Sequence, residues 1–153
     1  MQKEQSKASF CIDIGTTSLK AALISECGFV FKSTVVRFSS KEIQDPFEIA
    51  NCWKNSFFEA GKNLEVSNYD LIAICISGNG PTLTSVCNNK TFTLLWNNNS
   101  VSVKNPIQTK SIFIPRLLLL KENFPEIWQN SEFILSGPEF LIYFLTNQKL
   151  TIL

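Results

Sequence analysis

The chain has 153 residues and a net charge of +1, with 44% hydrophobic residues, 18% charged residues and 13 phenylalanines. This composition is typical of one folded domain with a substantial core, and it excludes a disordered chain and a strongly basic nucleic-acid-binding surface. Because histidine is absent, any proton transfer would fall to a carboxylate, a lysine, a tyrosine or a cysteine.

The N-terminal part of the chain predicts an antiparallel meander. Residues 9–14, 19–25 and 29–38 are rich in strand-forming side chains, and short turns at 15–18 and 26–28 separate them. The polar segment before them lacks the apolar stretch of a signal peptide. We therefore expect a tail at residues 1–7 and one domain at residues 8–153.

The middle of the chain predicts a helix, a strand and a hairpin. Asp45 and Pro46 are typical of a helix start, and apolar residues follow at helical spacing as far as Gly61. Residues 69–77 form an apolar run that predicts a buried parallel strand. The Asn-Asn-Lys sequence at 88–90 predicts a hairpin turn between strands at 83–87 and 91–96.

The last third of the chain predicts mainly helices. Residues 111–123, with Pro115 in the first turn, residues 125–129 and residues 138–146 carry helical patterns. The final residues, 150–153, are apolar and strand-like. The expected fold class is therefore α/β, a mixed sheet with a three-stranded antiparallel meander plus helices.

The first turn carries the strongest chemical signal. Asp13 interrupts an apolar strand, where a carboxylate is costly unless it is hydrogen-bonded, paired or at the mouth of a cleft. The turn after it combines a glycine with three hydroxyls, and successive amides in such a turn can hold phosphate oxygens. An aspartate here could hold the Mg²⁺ of a nucleotide. The alternative is an ordinary hairpin turn with a capping aspartate. The residues expected to contact phosphates are Gly15, Thr16, Thr17, Ser18 and Lys20.

Residues 12–20, with the sequence Ile-Asp-Ile-Gly-Thr-Thr-Ser-Leu-Lys, resemble the first phosphate motif of the actin-like ATPase superfamily. Further segments resemble, in order, the FGGY family of carbohydrate kinases, the xylulokinases among them. These segments are residues 45–53, 73–82, 94–98, 118–125 and 138–147. The resemblance implies an incomplete RNase H-like domain and phosphorylation of a sugar or polyol with ATP and Mg²⁺.

The same resemblance implies roles for individual residues. Asp13 would be the catalytic and Mg²⁺-organising carboxylate, and the hydroxyl-rich turn would contact the nucleotide phosphates. For Trp96 the alternative is a hairpin core residue, and for residues 78–81 it is a plain turn after a strand. The residues expected to border the sugar are Gly78, Asn79, Gly80, Trp96 and Asn98.

The sequence departs from the family pattern at several points. The family's catalytic aspartate lies further along the chain than residue 153, and so does the second domain. The family's Trp-x-Asp stretch reads Trp96-Asn97-Asn98 here, and the glycine of its Leu-Thr-Gly signature is Asn147, a residue that also tolerates a left-handed backbone. We therefore expect a truncated form that is inactive by itself and self-associates through an exposed apolar edge.

Two alternatives remain open beside the kinase. One is a non-catalytic remnant, or a sugar- or nucleotide-binding domain of the same superfamily. The other is a fragment of a chaperone ATPase, which the segment at 73–82 and the Leu-Thr-Asn sequence at 145–147 disfavour.

The cysteines and the apolar runs indicate the cellular compartment in which the chain is expected. Five cysteines, an odd number without a Cys-x-x-Cys spacing, indicate free thiols and a reducing cytoplasm. The longest apolar run, residues 112–120, includes Pro115 and Arg116 and is too short to span a bilayer. The family resemblance implies a small sugar or polyol as the partner, and the charge balance and the apolar runs predict no nucleic acid and no membrane.

Overall fold

The computed structural model describes residues 5–78, 80–88, 90–104 and 106–150. These residues form two sheets, one of four strands in the order β3-β2-β1-β4 and one of three strands in the order β6-β5-β7. The strands are β1 (Lys7–Ile14), β2 (Ser18–Ile24), β3 (Val30–Arg37), β4 (Asp70–Gly78), β5 (Leu83–Cys87), β6 (Lys90–Leu94) and β7 (Phe133–Ser136). The helices are α1 (Ser40–Gln44), α2 (Ile49–Asn63), α3 (Phe113–Asn123), α4 (Pro125–Asn130) and α5 (Gly137–Thr146).

The predicted meander is confirmed. β1 pairs with β2 and β2 pairs with β3, both antiparallel. Alternate residues of β1, from Ala8 to Ile14, are buried in the main core, whereas Asp13 and the other intervening residues face the open side of the sheet. The period of two in a strand produces this division, so the sheet has a covered face and an open face.

Helix α2 covers the buried face, but it begins later than predicted. Asp45 does act as a cap, since its carboxylate accepts a hydrogen bond from the amide of Phe47 at 2.9 Å. It caps a separate turn around Pro46, and the helix itself starts at Ile49, with Glu48 as its N-cap. The short helix α1 was not predicted. Phe47, the first residue of the predicted apolar pattern, precedes the helix and is 51% exposed. The other residues of that pattern are buried: Ile49, Ala50, Trp53, Phe57 and Ala60.

Strand β4 is parallel to β1, as predicted, but it is not buried. Among the described residues it pairs with β1 alone and so lies at the edge of the sheet. Ile72 and Ile74 are each 46% exposed. The apolar sequence of β4 was a correct signal for parallel pairing, but burial also requires a neighbour on the second edge.

The second sheet contains the predicted hairpin, in which β5 pairs antiparallel with β6. Asn89, in its turn, lies outside the described residues. β7 was not predicted and pairs antiparallel with the other edge of β5. A second cluster of buried residues lies between this sheet and α3, centred on Leu83, Phe92 and Leu120.

The three helices of the last third are confirmed. α5 begins with a capping box, in which Ser136 accepts from the amide of Glu139 while the Glu139 carboxylate accepts from the amide of Ser136. It ends at Thr146, and its C-cap residue Asn147 adopts the left-handed conformation with φ of 56°. Residues 147–150 form no strand, and residues 151–153 lie outside the described part of the chain. None of the described helices is both long and apolar enough to cross a bilayer.

Candidate functional site

Two loops meet at the boundary of the four-stranded sheet that is formed by the carboxyl ends of its parallel strands, here called the carboxyl edge. Because β1 and β4 are parallel, their carboxyl ends lie side by side, with Ile14 paired to Gly78. The turn of residues 15–17 leaves β1 at this edge, and the segment that begins at Gly78 leaves β4. In open sheets with parallel strands, ligands commonly bind outside the carboxyl ends of the strands.

Asp13 lies on the open face of the sheet, next to this edge. Its carboxylate is directly opposite Lys20 in the β1–β2 pair, and Nζ of Lys20 lies 3.9 Å from Oδ2. Both side chains are more than half exposed, so the pair contributes at most about 1 kcal/mol to stability. A groove of about 640 Å³ runs along this face past Asp13, Lys20 and Thr34. The carboxylate is thus accessible to a cation from solution.

Gly15 closes the turn. Its amide donates to the carbonyl of Ser18 at 2.9 Å. A Cβ placed on Gly15 would lie 2.9 Å from that same carbonyl oxygen. We expected a backbone conformation that is closed to other residues, but Gly15 is not among the glycines with positive φ. It is the space between residues 15 and 18 that requires glycine here.

The hydroxyls of the turn have different surroundings. The hydroxyl of Thr16 accepts a hydrogen bond from the indole Nε1 of Trp96 at 3.2 Å. Thr17 is exposed, and its carbonyl accepts from the amide of Phe38 at 2.9 Å. Ser18 is half-buried at the start of β2. The residues of the predicted phosphate turn therefore lie together. Thr17 is exposed, whereas Thr16 and Ser18 are half-buried and the Thr16 hydroxyl is bonded to Trp96.

The predicted sugar segment also lies at this edge. A Cβ on Gly78 would lie 3.1 Å from Cγ of Pro138, so Gly78 allows β4 to pack against the start of α5. Gly80 has a φ of 62°, and a Cβ there would lie 2.7 Å from Cβ and from Cγ of Trp96. Asn79 lies outside the described residues.

A cavity between the two sheets, which the sequence did not indicate, adjoins this segment. It has a volume of about 470 Å³, and its lining includes Ser77, Gly78 and Glu139.

Trp96 joins the two loops. Its indole donates to Thr16 of the phosphate turn, its amide donates to the hydroxyl of Thr82 at 3.1 Å, and its side chain packs against Gly80. It remains 44% exposed. The predicted alternative, a hairpin core residue, is not what the structure shows, since Trp96 follows β6 and lies at the surface between the two motifs.

Asn98 is engaged locally. Its side-chain oxygen accepts from the amide of Ser100 at 3.0 Å and from the Ser100 hydroxyl at 2.6 Å. These contacts shape the loop after Trp96 and keep the Asn98 oxygen on its own loop. The expected role of Asn98 toward a sugar therefore remains a prediction.

Arg116 is a residue of this region that sequence reasoning did not select. It is 7% exposed, and its Nη atoms donate to the carbonyl oxygens of Asn98, at 3.3 Å, and of Leu95. Burial lowers the pKa of the Arg116 guanidinium, and its Nε is a buried nitrogen for which the described residues provide no hydrogen-bond partner. Arg116 thus fixes the loop that carries Trp96. The available signal was a single charge within an apolar run.

The described residues contain no group of three or more metal-ligating side chains. The exposed carboxylate of Asp13 beside the hydroxyl-rich turn is a donor set that fits the Mg²⁺ of a nucleotide, which typically takes one or two carboxylates, keeps several waters and receives its remaining ligands from the phosphates. Asp13 is the carboxylate that would serve.

Comparison with solved structures shows a fold shared with carbohydrate kinases. The xylulose kinase from Rhodospirillum rubrum matches with a TM-score of 0.69 and 15% identity over 94% of this chain and 35% of that one. The glycerol kinase from Plasmodium falciparum, solved with ADP, matches with a TM-score of 0.64 and 21% identity over 96% of this chain and 36% of that one. The gluconate kinase from Lactobacillus acidophilus matches with a TM-score of 0.63 and 17% identity over 90% and 32%.

The chain spans about a third of the length of these kinases. No protein-family model and no curated protein matches its sequence. At these identities the likeness concerns the fold. It confirms the α/β class and the resemblance to carbohydrate kinases that the motifs predicted.

Proposed function

We propose that this chain forms the phosphate- and sugar-facing wall of a carbohydrate kinase site, which phosphorylates a sugar or polyol with ATP and Mg²⁺. The observation that carries the proposal is Trp96, which contacts Thr16 of the phosphate turn and Gly80 of the sugar segment at the same sheet edge. Phosphoryl transfer requires donor and acceptor to be held side by side, and this contact fixes the distance between their two loops.

The phosphate side depends on Asp13 and the turn after it. Bound Mg²⁺ would neutralise charge on the transferring phosphoryl group. In this chain, Asp13 would orient the hydrated cation. Lys20, whose Nζ lies 3.9 Å from Oδ2 of Asp13, would add a positive charge to the same groove. Gly15 keeps the turn tight, since a Cβ there would lie 2.9 Å from the carbonyl oxygen of Ser18.

The sugar side depends on Trp96 and the glycines at the end of β4. Trp96 presents a half-exposed ring beside Gly80, and an aromatic ring offers an apolar face to the C–H groups of a sugar. Gly78 and Gly80 let Pro138 and Trp96 pack closely against the backbone, which brings the Trp96 ring to the end of β4. Asn98 would become a direct sugar ligand only if it released its contacts to Ser100.

We further propose that the chain by itself binds ligands without turnover. Kinase chemistry needs a carboxylate to accept the proton of the attacking hydroxyl. Two glutamates that could be considered are engaged in other contacts, since Glu139 caps α5 through the amide of Ser136 and Glu122 accepts from the amide of Lys104 at 2.7 Å. A non-catalytic nucleotide-binding domain is the second candidate function, and the same observation favours it.

Calorimetric titration of the chain with the Mg²⁺ complex of a non-hydrolysable ATP analogue tests the binding proposal. Asp13→Asn removes the charge at the groove, and we expect affinity to fall about tenfold, equivalent to about 1.4 kcal/mol. Asp70→Asn is the matched control, since Asp70 is an exposed aspartate of the same sheet at its opposite end, paired with Lys7. Equal affinities for the two variants, or no binding by the unmodified chain, would contradict the proposal.

Turnover is measured separately by following ADP release in the presence of Mg²⁺-ATP and a panel of pentuloses, hexoses and polyols. The expected result is no release above the rate without sugar. Sugar-dependent release that disappears in Asp13→Asn would overturn the statement that the isolated chain lacks turnover, and it would leave the nucleotide-site assignment standing.

A further inference from the structure

Two cysteines face each other across the β1–β4 pair. Cys11 of β1 is in direct register with Cys75 of β4. Neighbouring strands lie about 4.8 Å apart, a spacing within the range of about 4.4–6.8 Å that disulfide-bonded Cα atoms span. The backbone therefore already brings the two residues to bridging distance.

The two cysteine side chains lie on the same face of the sheet, because Cys11 and Cys75 are directly opposite in the β1–β4 pair. Phe10 and Ile12, the neighbours of Cys11, are buried against the core, so Cys11 faces the open side of the sheet. Burial and, after it, interaction with the Cys75 thiol raise the pKa of the Cys11 thiol. Cys11 is half-buried and Cys75 is exposed. One sulfur is thus available to a reagent in solution, and the second lies immediately behind it.

We propose that Cys11 and Cys75 form a modification site, a dithiol that closes to an intrachain disulfide by exchange with a small disulfide such as oxidised glutathione. The Cys75 thiolate attacks one sulfur of the reagent, the reagent's S–S bond breaks, and one glutathione thiolate leaves. The Cys11 sulfur then attacks the Cys75 sulfur and displaces the second glutathione. The two protons lost by the protein thiols are taken up by the two glutathione thiolates, so the protein is oxidised and the reagent is reduced.

The remaining cysteines provide internal comparisons. All five cysteines are free. Cys27 is exposed in the β2–β3 turn, where the Ser25 hydroxyl lies 3.1 Å from its sulfur and lowers the pKa of the thiol. Cys27 is therefore at least as open to attack as Cys75 but has no cysteine opposite it in the strand register. It should keep a glutathione adduct, whereas the Cys11–Cys75 pair should expel it.

The test is native oxidation of the full chain with oxidised glutathione, followed by mass spectrometry of the whole protein and of its peptides. Circular dichroism confirms that the fold is intact during the reaction. We expect a loss of two hydrogen atoms, a peptide pair joined through Cys11 and Cys75, and an adduct on Cys27. Cys11→Ser should leave a stable adduct on Cys75, whereas Cys87→Ser should behave like the unmodified chain.

A second probe does not depend on oxidation. A monosubstituted trivalent arsenical bridges two neighbouring thiols. We expect one such group to attach to the reduced protein, through Cys11 and Cys75. It should no longer attach after either residue is changed to serine. A persistent glutathione adduct on Cys75 in the unmodified chain, or an arsenical adduct that survives Cys75→Ser, would overturn the proposal. Cys11 lines the same groove as Asp13, but these tests measure thiol modification and not nucleotide affinity, so failure of either proposal leaves the other intact.

Discussion

Gly80→Ala tests the contact that joins the two motifs. The φ of Gly80 is 62°, and an added Cβ would lie 2.7 Å from Cβ and Cγ of Trp96. A non-glycine residue in the left-handed region costs about 1 kcal/mol, and forcing a methyl group against a fixed neighbour costs about 1–3 kcal/mol more. Trp96 cannot move away easily, because Thr16 and Thr82 hold its indole and its amide. We expect Gly80→Ala to lower the free energy of unfolding by about 2–4 kcal/mol.

Gly28→Ala is the matched control. Gly28 also has a positive φ, of 83°, but a Cβ there would meet no atom within 4 Å. The backbone penalty is therefore shared and the collision is not, so Gly28→Ala should cost about 1 kcal/mol. The difference between the two variants in urea unfolding, followed by circular dichroism, isolates the Trp96 contact.

Equal losses in the two variants would refute the reasoning, because they would show that Trp96 does not press on Gly80. The indole N–H resonance of Trp96 gives a second readout of the same contact. It should shift in Gly80→Ala, where the hydrogen bond to Thr16 is strained, and remain in place in Gly28→Ala.

Three other predictions concern the framework and use the same unfolding measurement. Ser136→Ala removes the N-cap side chain of α5 and should cost about 1 kcal/mol; no loss would show that the cap is dispensable. Thr84 and Thr93 are buried with their hydroxyls 3.1 Å apart, so Thr84→Val alone should cost about 1–3 kcal/mol, and adding Thr93→Val should recover most of that loss. Lys32 lowers the pKa of Glu65 by hydrogen bonding. The stabilisation that this pair provides is therefore present above the ordinary glutamate pKa and is lost as pH falls through the lowered value. Lys32→Met should therefore reduce the fall in the free energy of unfolding as pH decreases through the acid range. An unchanged pH dependence would argue against the Lys32–Glu65 pair.

Features set by neighbouring residues could be predicted from the sequence. The meander follows from alternating side chains and compact turns between them, and Asp13 and Gly15 were identified because a carboxylate and a tight bend interrupt an apolar strand. The cap at Asp45 was recognised correctly and assigned to the wrong element. A short acidic side chain caps an isolated turn as well as a helix, and only the fold decides between them.

Features set by distant residues could not be predicted. β7 has four residues and exists through its pairing with β5, so it carries too little local pattern. The apolar β4 predicted burial, but burial depends on which elements lie beside it. The contact between Trp96 and Thr16 spans 80 positions in the chain. Only the resemblance to kinases placed these residues around one cleft, and it did not indicate the hydrogen bond.

The parallel pairing of β1 with β4 has a consequence for the speed at which the chain acquires its structure. β1, β2 and β3 are joined by short turns, so little conformational entropy is lost when they pair. Lys7 of β1 can pair with Asp70 of β4 only after the long loop that contains α2 has closed. Substitutions that strengthen α2 or its packing should therefore accelerate refolding. Substitutions that weaken the β2–β3 turn should slow refolding and leave the rate of unfolding almost unchanged, because that turn forms before the slow closure.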